Sequence, residues 1–220
     1  MKSSYLWNKI TKRTLTRNLR VELNNGSKSF ADLLLDIGDG IDGENLRLPA
    51  SFFTVNHHLD DFAKEVFPKI NTNLRNYEYL KGRAIICPTN EQVKEVNTVV
   101  LKMLNGTNLT YESTDSIADE NLSHEYPVEF LNSISLNGLP DHILEIKKNS
   151  IIMLLINLDK GNGHVNGVRY QVLNAGKYVI EAIAITGKAA GKKLFIPRIT
   201  SFSRDTQLPF IMKRKQFPVR

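Results

Sequence analysis

Between residues 142 and 199 the chain places five short β-rich apolar runs, at 142–146, 151–156, 168–173, 177–186 and 192–199. Turn dipeptides separate them: Lys160-Gly161, Asn166-Gly167, Ala175-Gly176 and Gly187-Lys188. Five short strands at this spacing predict a small antiparallel barrel or curled sheet. Asn166-Gly167 reads on its own as a two-residue hairpin turn between apolar strands.

The first half is organised differently. Ser27 or Ser29 caps a predicted helix whose Phe30, Leu33, Leu34 and Ile37 recur at helical spacing, with Gly38 as its stop. Residues 40–50 read as a loop, and 60–67 as a second helix ended by Pro68. A β-rich run at 83–89 is interrupted by Pro88. Asn90 then caps the clearest helix, with Val93, Val96, Val100 and Leu104 on one face and Asn105-Gly106 at its end. With a further strand at 109–113 this predicts a βαβ unit, the building block of a parallel sheet. The acidic segment 112–125 separates the α/β part from the β part, giving a boundary near 126.

Charge is uneven along the 220 residues. Six Lys/Arg and no acidic residue fall in residues 1–20, including the stretch LTRNLR; residues 21–187 hold 14 basic and 22 acidic residues, and residues 188–220 nine and one. Basic ends around an acidic middle suggest an anionic polymer, because lysines and arginines that neutralise phosphates release counterions. A solvated surface without a partner explains the same charge. No stretch approaches the ~20 apolar residues of a membrane span, and MKSSYLWNKITKR lacks the apolar core of a secretory signal. The four Asn-x-Ser/Thr sequons at Asn25, Asn105, Asn108 and Asn121 therefore carry no expected modification, and the single cysteine, Cys87, suits a reducing compartment.

Catalytic motifs fail on context. Gly38-Asp39-Gly40-Ile41-Asp42-Gly43 fits the dinucleotide pattern by letter, but it follows a helix and carries two aspartates that repel phosphate. The stretch 187–193 lacks the glycine spacing of a phosphate loop and has Lys193 where Ser or Thr binds magnesium. The five histidines are scattered, Cys87 has no paired ligand, and no G-x-S-x-G elbow occurs. Taken alone, these residues make no complete active site.

The order of segments resembles the C-terminal part of PIF-type (petite integration frequency) superfamily 1 DNA helicases, closest to the group related to Helitron transposon helicases. KSSYLWNKITKRTLTRNLRV resembles the segment after the third helicase motif, and SFADLLLDIGDG and LRLP follow in family order. RAIICPTNEQVKEVNTVVLKML, YESTDS and the long stretch from YPVEFLNS to GVRYQVL resemble the second motor domain and its small insert. ITGKAAGKKLFIPRI and LPFIMKRKQFPVR complete the series.

The resemblance implies an α/β fold, a partial RecA-like parallel sheet over 1–126, followed by a small all-β SH3-like barrel insert over 127–205 and a return segment at 206–220. It implies an ATP-driven 5′→3′ DNA helicase using ATP and Mg2+ in the full-length family, with none bound by this chain alone. The implied partners are single-stranded DNA and an N-terminal motor domain that lies upstream in the family. No membrane is implied, and placement would be nuclear or mitochondrial. Arg20, with Leu15 and Asn18, matches the family's fourth motif and is expected to be the arginine finger. Thr89 and Asn90 sit where such motors touch the DNA backbone, although a helix N-cap also explains Asn90. Arg169 either reaches phosphate or packs its stem on the barrel. Lys213, Arg214 and Lys215 either line the DNA channel or form a solvated charge run. Tyr5, Trp7 and Phe52 are expected in the core rather than stacked on bases. The family's phosphate loop lies upstream of the matched segments and its Gln-Gly-Gln motif downstream, so the chain is expected to be an internal piece of a helicase. The alternatives are a non-enzymatic single-stranded DNA-binding module and an inert transposon relic.

Overall fold

The computed structural model describes residues 9–11, 13, 18–23, 26–40, 48, 50–54, 58–122, 124–136, 138–203 and 208–220. They fall in two compact units, divided between Val55 and Asn56. In the first, α1 (Leu19–Leu23) precedes α2 (Lys28–Asp39). Ser27 caps α2, its hydroxyl accepting from the Phe30 amide at 3.2 Å. The stop is Gly40 rather than Gly38: Gly40 takes the left-handed conformation (φ 69°) that a Cβ disfavours, and its amide donates to Asp36 and Ile37. Phe52 is exposed, not core, and meets Phe30 edge to face at 6.0 Å. Tyr5, Trp7 and Leu15 lie outside the described residues.

The second unit begins with α3 (Leu59–Val66), α4 (Ile70–Asn73), α5 (Tyr77–Lys81) and α6 (Asn90–Met103). The cap of α6 is Thr89 rather than Asn90: Thr89 is extended and its hydroxyl accepts from the Gln92 amide at 3.3 Å. At the other end, Lys147 Nζ donates to the Leu104 carbonyl, and Asn71 donates to Met103 and accepts from the Asn105 amide. Terminal helix carbonyls are thereby paired.

The remaining elements are β1 (Leu109–Glu112), β2 (Thr114–Ile117), α7 (Val128–Ser133), β3 (Ile143–Ile146), β4 (Ile151–Met153), β5 (Arg169–Ala175), β6 (Val179–Ala184), β7 (Lys193–Pro197), β8 (Ile199–Phe202) and β9 (Met212–Gln216). They pair as β1-β3, β2-β9-β8 and β4-β5-β6-β7, and every ladder among the described residues is antiparallel. The expected βαβ unit is therefore absent there. The run 83–87 forms no helix or turn and has no ladder among the described residues, and the strand after α6 pairs back onto β3 instead of running parallel. An apolar β-rich run becomes a strand only when a partner backbone meets it, and nothing in the local sequence specifies the partner.

The strands predicted beyond residue 142 are present in order, but as separate sheets with no closed barrel among the described residues. One core nevertheless joins two of these sheets. Tyr111 and Ile146 from β1 and β3 pack with Ile152, Tyr170, Val172, Ile180, Ala182 and Ile196 from the four-stranded sheet. Phe217 and Val219 complete this core, Phe217 meeting Tyr111 edge to face at 5.0 Å. Asn166-Gly167 is not the tip of a hairpin between β4 and β5. It closes an excursion at 154–168, with the Gly167 amide donating to Leu154 and the Leu154 amide to Val168. The tight turn lies earlier, where Asp159 bridges to His164 and accepts from Asn162. A second core packs Leu131 of α7 on Ile117, Phe210 and Met212.

Tyr170 is fully buried, with its hydroxyl 2.9 Å from His164 Nδ1. Burial away from water disfavours the phenolate and pushes its pKa up to about 12 from 10.0. Because the folded chain holds this proton more tightly than the unfolded one, its contribution to stability is complete below about pH 10 and is lost as pH rises toward 12. The unfolding free energy should fall across that window by at most about 1.4 kcal/mol per pH unit. Urea titrations of wild type and Tyr170→Phe check this: the variant should show a shallower decline.

Candidate nucleic-acid interface

Strand β9 lies between β2 and β8 and alternates strictly in burial. Met212, Arg214 and Gln216 point inward, whereas Lys213 is half-buried and Lys215 exposed. A period of two sends neighbours to opposite faces, so the run Lys213-Arg214-Lys215 is not one basic cluster. Register sets the company of each lysine. Lys215 lies between Thr114 and Thr200, and Lys213 between Ser116 and Phe202. These six residues form one face, with Thr114, Ser116, Thr200 and Phe202 exposed. The face has two cations, three hydroxyls, one aromatic ring and no carboxylate.

Arg214 departs from the expected DNA contact. It is 1% exposed and holds Asp115 through Nε, at 2.9 Å from Oδ1, and through Nη2, at 2.7 Å from Oδ2. Nη1 donates to the Ile134 and Pro140 carbonyls, and Nη2 also to Leu131. Those contacts take up the guanidinium's donors, leaving none for phosphate. Ser113 donates to Asp115 Oδ1 at 2.7 Å and lies 2.8 Å from His142 Nδ1. The trio is not a nucleophilic triad, because the serine proton points at the carboxylate and that carboxylate is already neutralised by Arg214.

Arg169 is also taken up internally. Its guanidinium donates to the carbonyls of Leu80, Lys81 and Arg83, at and just beyond the C-terminus of α5, where a cation meets the negative end of the helix dipole. It neither reaches outward for phosphate nor merely lays its stem on the sheet. Gln171 acts alongside it, donating to Leu74 O at 2.7 Å. Thr89 serves as the cap of α6 already described. Asn90 accepts from Arg220 Nη1 at 3.2 Å, and Lys94 pairs with Asp141 at 3.1 Å. Arg20 lies in α1, and its side chain is outside the described residues. The structure thus brings Lys213 and Lys215 together on one face, while Arg169 and Arg214 hold the fold.

Thr114 and Ser116 fall in the YESTDS stretch, which assigns them no ligand role, and Thr200 and Phe202 fall in no motif; only strand register places the four beside the lysines. Arg198 precedes β8 and donates to the Glu112 carbonyl at 2.6 Å, with its guanidinium 5.0 Å from the Phe217 ring. It lines a shallow concavity of about 530 Å3 between residues 109–112 and the turn that carries Lys177. No group of three acidic, histidine or cysteine side chains among the described residues could hold a metal ion. The 187–192 stretch lies in the hairpin connection between β6 and β7, with Ala189 buried. No helix among the described residues is long and apolar enough to cross a membrane.

Residues 129–174, from α7 to the end of β5, match the family model of the DNA helicase Pif1, 2B domain. The chain has the fold of part of a PIF-type helicase. The crystal structure of Pif1 helicase from Candida albicans is similar over 98% of this chain and 48% of its own, with 19% identity and a TM-score of 0.51. Bacteroides Pif1 bound to single-stranded DNA matches at 20% identity and a TM-score of 0.41, over 70% of this chain and 37% of its own. Bacteroides sp Pif1 in complex with ADP-AlF4 matches at 16% and 0.42, over 87% and 37%. The chain therefore spans less than half the length of these PIF-type structures. No curated protein matches it. The PIF-type 2B match ends before β9, so the lysine face lies outside it.

Removing Arg214 should separate its role from that of its neighbours. Arg214→Ala leaves Asp115 buried without its cation and should cost about 3–5 kcal/mol, whereas Lys215→Ala should stay within about 0.5 kcal/mol. Urea unfolding followed by circular dichroism measures both; equal losses would remove the distinction between the two faces of β9.

Proposed function

We propose that the chain supplies the second motor domain and the SH3-like insert of an ATP-dependent 5′→3′ DNA helicase, and that it holds single-stranded DNA on the face of Lys213 and Lys215. The match of residues 129–174 to the Pif1 2B domain carries this reading. The matched Pif1 proteins include one in complex with ADP-AlF4 and one bound to single-stranded DNA. ATP and Mg2+ would be held by a phosphate loop on another domain, since no such loop is found in these 220 residues. In that assembly Arg20 acts as the arginine finger: a planar, permanently charged guanidinium stabilises charge developing on the transferred phosphoryl group.

Chemistry favours the lysine face for the DNA. Two cations flanked by hydroxyl donors meet a phosphate backbone through charge and hydrogen bonds that are independent of sequence. The same face supports a second reading, a non-enzymatic single-stranded DNA-binding module, because it is complete within the 56–220 unit. ATPase activity separates the two readings.

Binding of oligothymidylate, followed by fluorescence anisotropy over a range of salt, tests the interface. Lys213→Ala/Lys215→Ala should make the slope of log affinity against log salt shallower by about 1.4, the value for two phosphate contacts on a single strand. An unchanged slope would exclude this face. Joined to a motor domain that carries a phosphate loop, the chain should support DNA-stimulated phosphate release, and Arg20→Ala should reduce kcat by about 10³-fold or more while DNA affinity holds. Undiminished turnover in that variant would remove Arg20 from the cleft, and no turnover in the joined wild type would favour the binding module.

A further inference from the structure

Phe202 ends β8, directly opposite Lys213, and is 54% exposed. A lone exposed aromatic is ordinary on a protein surface. Here the surroundings distinguish it. Its cross-strand neighbour is a lysine, the next residues on the same face are Thr200 and Lys215, and the third strand adds Ser116 and Thr114. The carboxylate nearest in register, Asp115, points to the opposite face and is paired with Arg214. An anionic chain lying across these six residues therefore meets two cations and hydroxyl donors.

The spacing along the face suits an unpaired strand. Residues two apart on one face are separated by ~6.6 Å along the β-strand, the scale of one nucleotide step in an extended sugar–phosphate chain. Lys213 and Lys215 then meet successive phosphates, and the ring beside Lys213 meets the base attached between them. We infer that Phe202 is a base-stacking residue for single-stranded nucleic acid, a role that rests on reading Lys213 and Lys215 as phosphate contacts. Stacking is tolerant of sequence because every base has a π face, and it requires the base to be unpaired. A duplex would offer this ring only backbone, so Phe202 makes the face selective for single strands.

The test uses the full chain, anisotropy titrations and three ligands: a labelled oligothymidylate, the same oligomer with abasic sites, and a duplex of equal length. Wild type should bind the oligothymidylate more tightly than either other ligand. Phe202→Ala and Phe202→Leu should weaken oligothymidylate binding about 5- to 150-fold and abolish the preference over the abasic oligomer, while Phe202→Tyr retains both. Because the side chain is exposed, these variants should unfold at the wild-type urea midpoint. If wild type binds with the salt sensitivity contributed by Lys213 and Lys215 but Phe202→Ala binds equally well, stacking is overturned and the lysine contacts stand. If the duplex binds as tightly as the single strand, the inference also fails. If wild type binds none of the three ligands, both the stacking role and the lysine interface fail.

Discussion

The buried ion pair between Arg214 and Asp115 fixes the geometry on which the lysine face depends. Its partners are 99 residues apart, and both side chains are essentially sealed from water. Removing two charges from water is expensive, and the cost is offset only where geometry and extra hydrogen bonds are complete. Here they are: the guanidinium adds carbonyls from α7 and from the segment that follows it, and Ser113 adds a donor to the carboxylate. One side chain thereby ties β9, β2 and α7 together. Gln216, two residues on, repeats the device by donating to the Tyr111 and His142 carbonyls. With the inner face anchored at two points, the register of β9 is fixed. The positions of Lys213 and Lys215 on the other face follow from it.

Strong hydrogen-bonding side chains serve two purposes in this chain. Arg169 and Gln171 project from β5 to the carbonyls around α4 and α5, where they hold helices against the sheet. They do so with groups that a charge count alone would assign to an anionic ligand. What separates a structural arginine from a ligand-binding one is the number of its donors already engaged within the fold. By that criterion the lysines of β9 differ from Arg169 and Arg214, although the sequence presents all four as basic residues near apolar strands.

Local regularities were legible in the sequence and long-range pairings were not. The face of α6 followed from Val93, Val96, Val100 and Leu104, and the cap of α2 from Ser27, because both depend on residues a few positions apart. Shifting one cap from Asn90 to Thr89 and one stop from Gly38 to Gly40 changes boundaries, which residues of similar capping chemistry leave ambiguous. The sheet partners were a different matter. The run 83–87 and β1 look equally strand-like in sequence, yet among the described residues only β1 gains a ladder, and its partner lies more than thirty residues on. The candidate site failed in the same way. Lys213-Arg214-Lys215 read as one cluster because the alternation of Met212, Arg214 and Gln216 gains meaning only once Asp115 supplies a buried partner. Phe202 carried no signal at all, since its value comes from standing opposite Lys213.

The arrangement of β9 also determines how this part of the molecule would bear load. The strand is paired on both edges, with β2 on one side and β8 on the other. A pull on Lys213 or Lys215 directed along the strand would strain both ladders in shear, with their rungs loaded together rather than opened one after another. Sideways force would instead open a ladder rung by rung, because β2 and β8 are both edge strands of this sheet. A ligand translocating parallel to β9 would thus meet a stiff anchorage, and one dragged across it a compliant one.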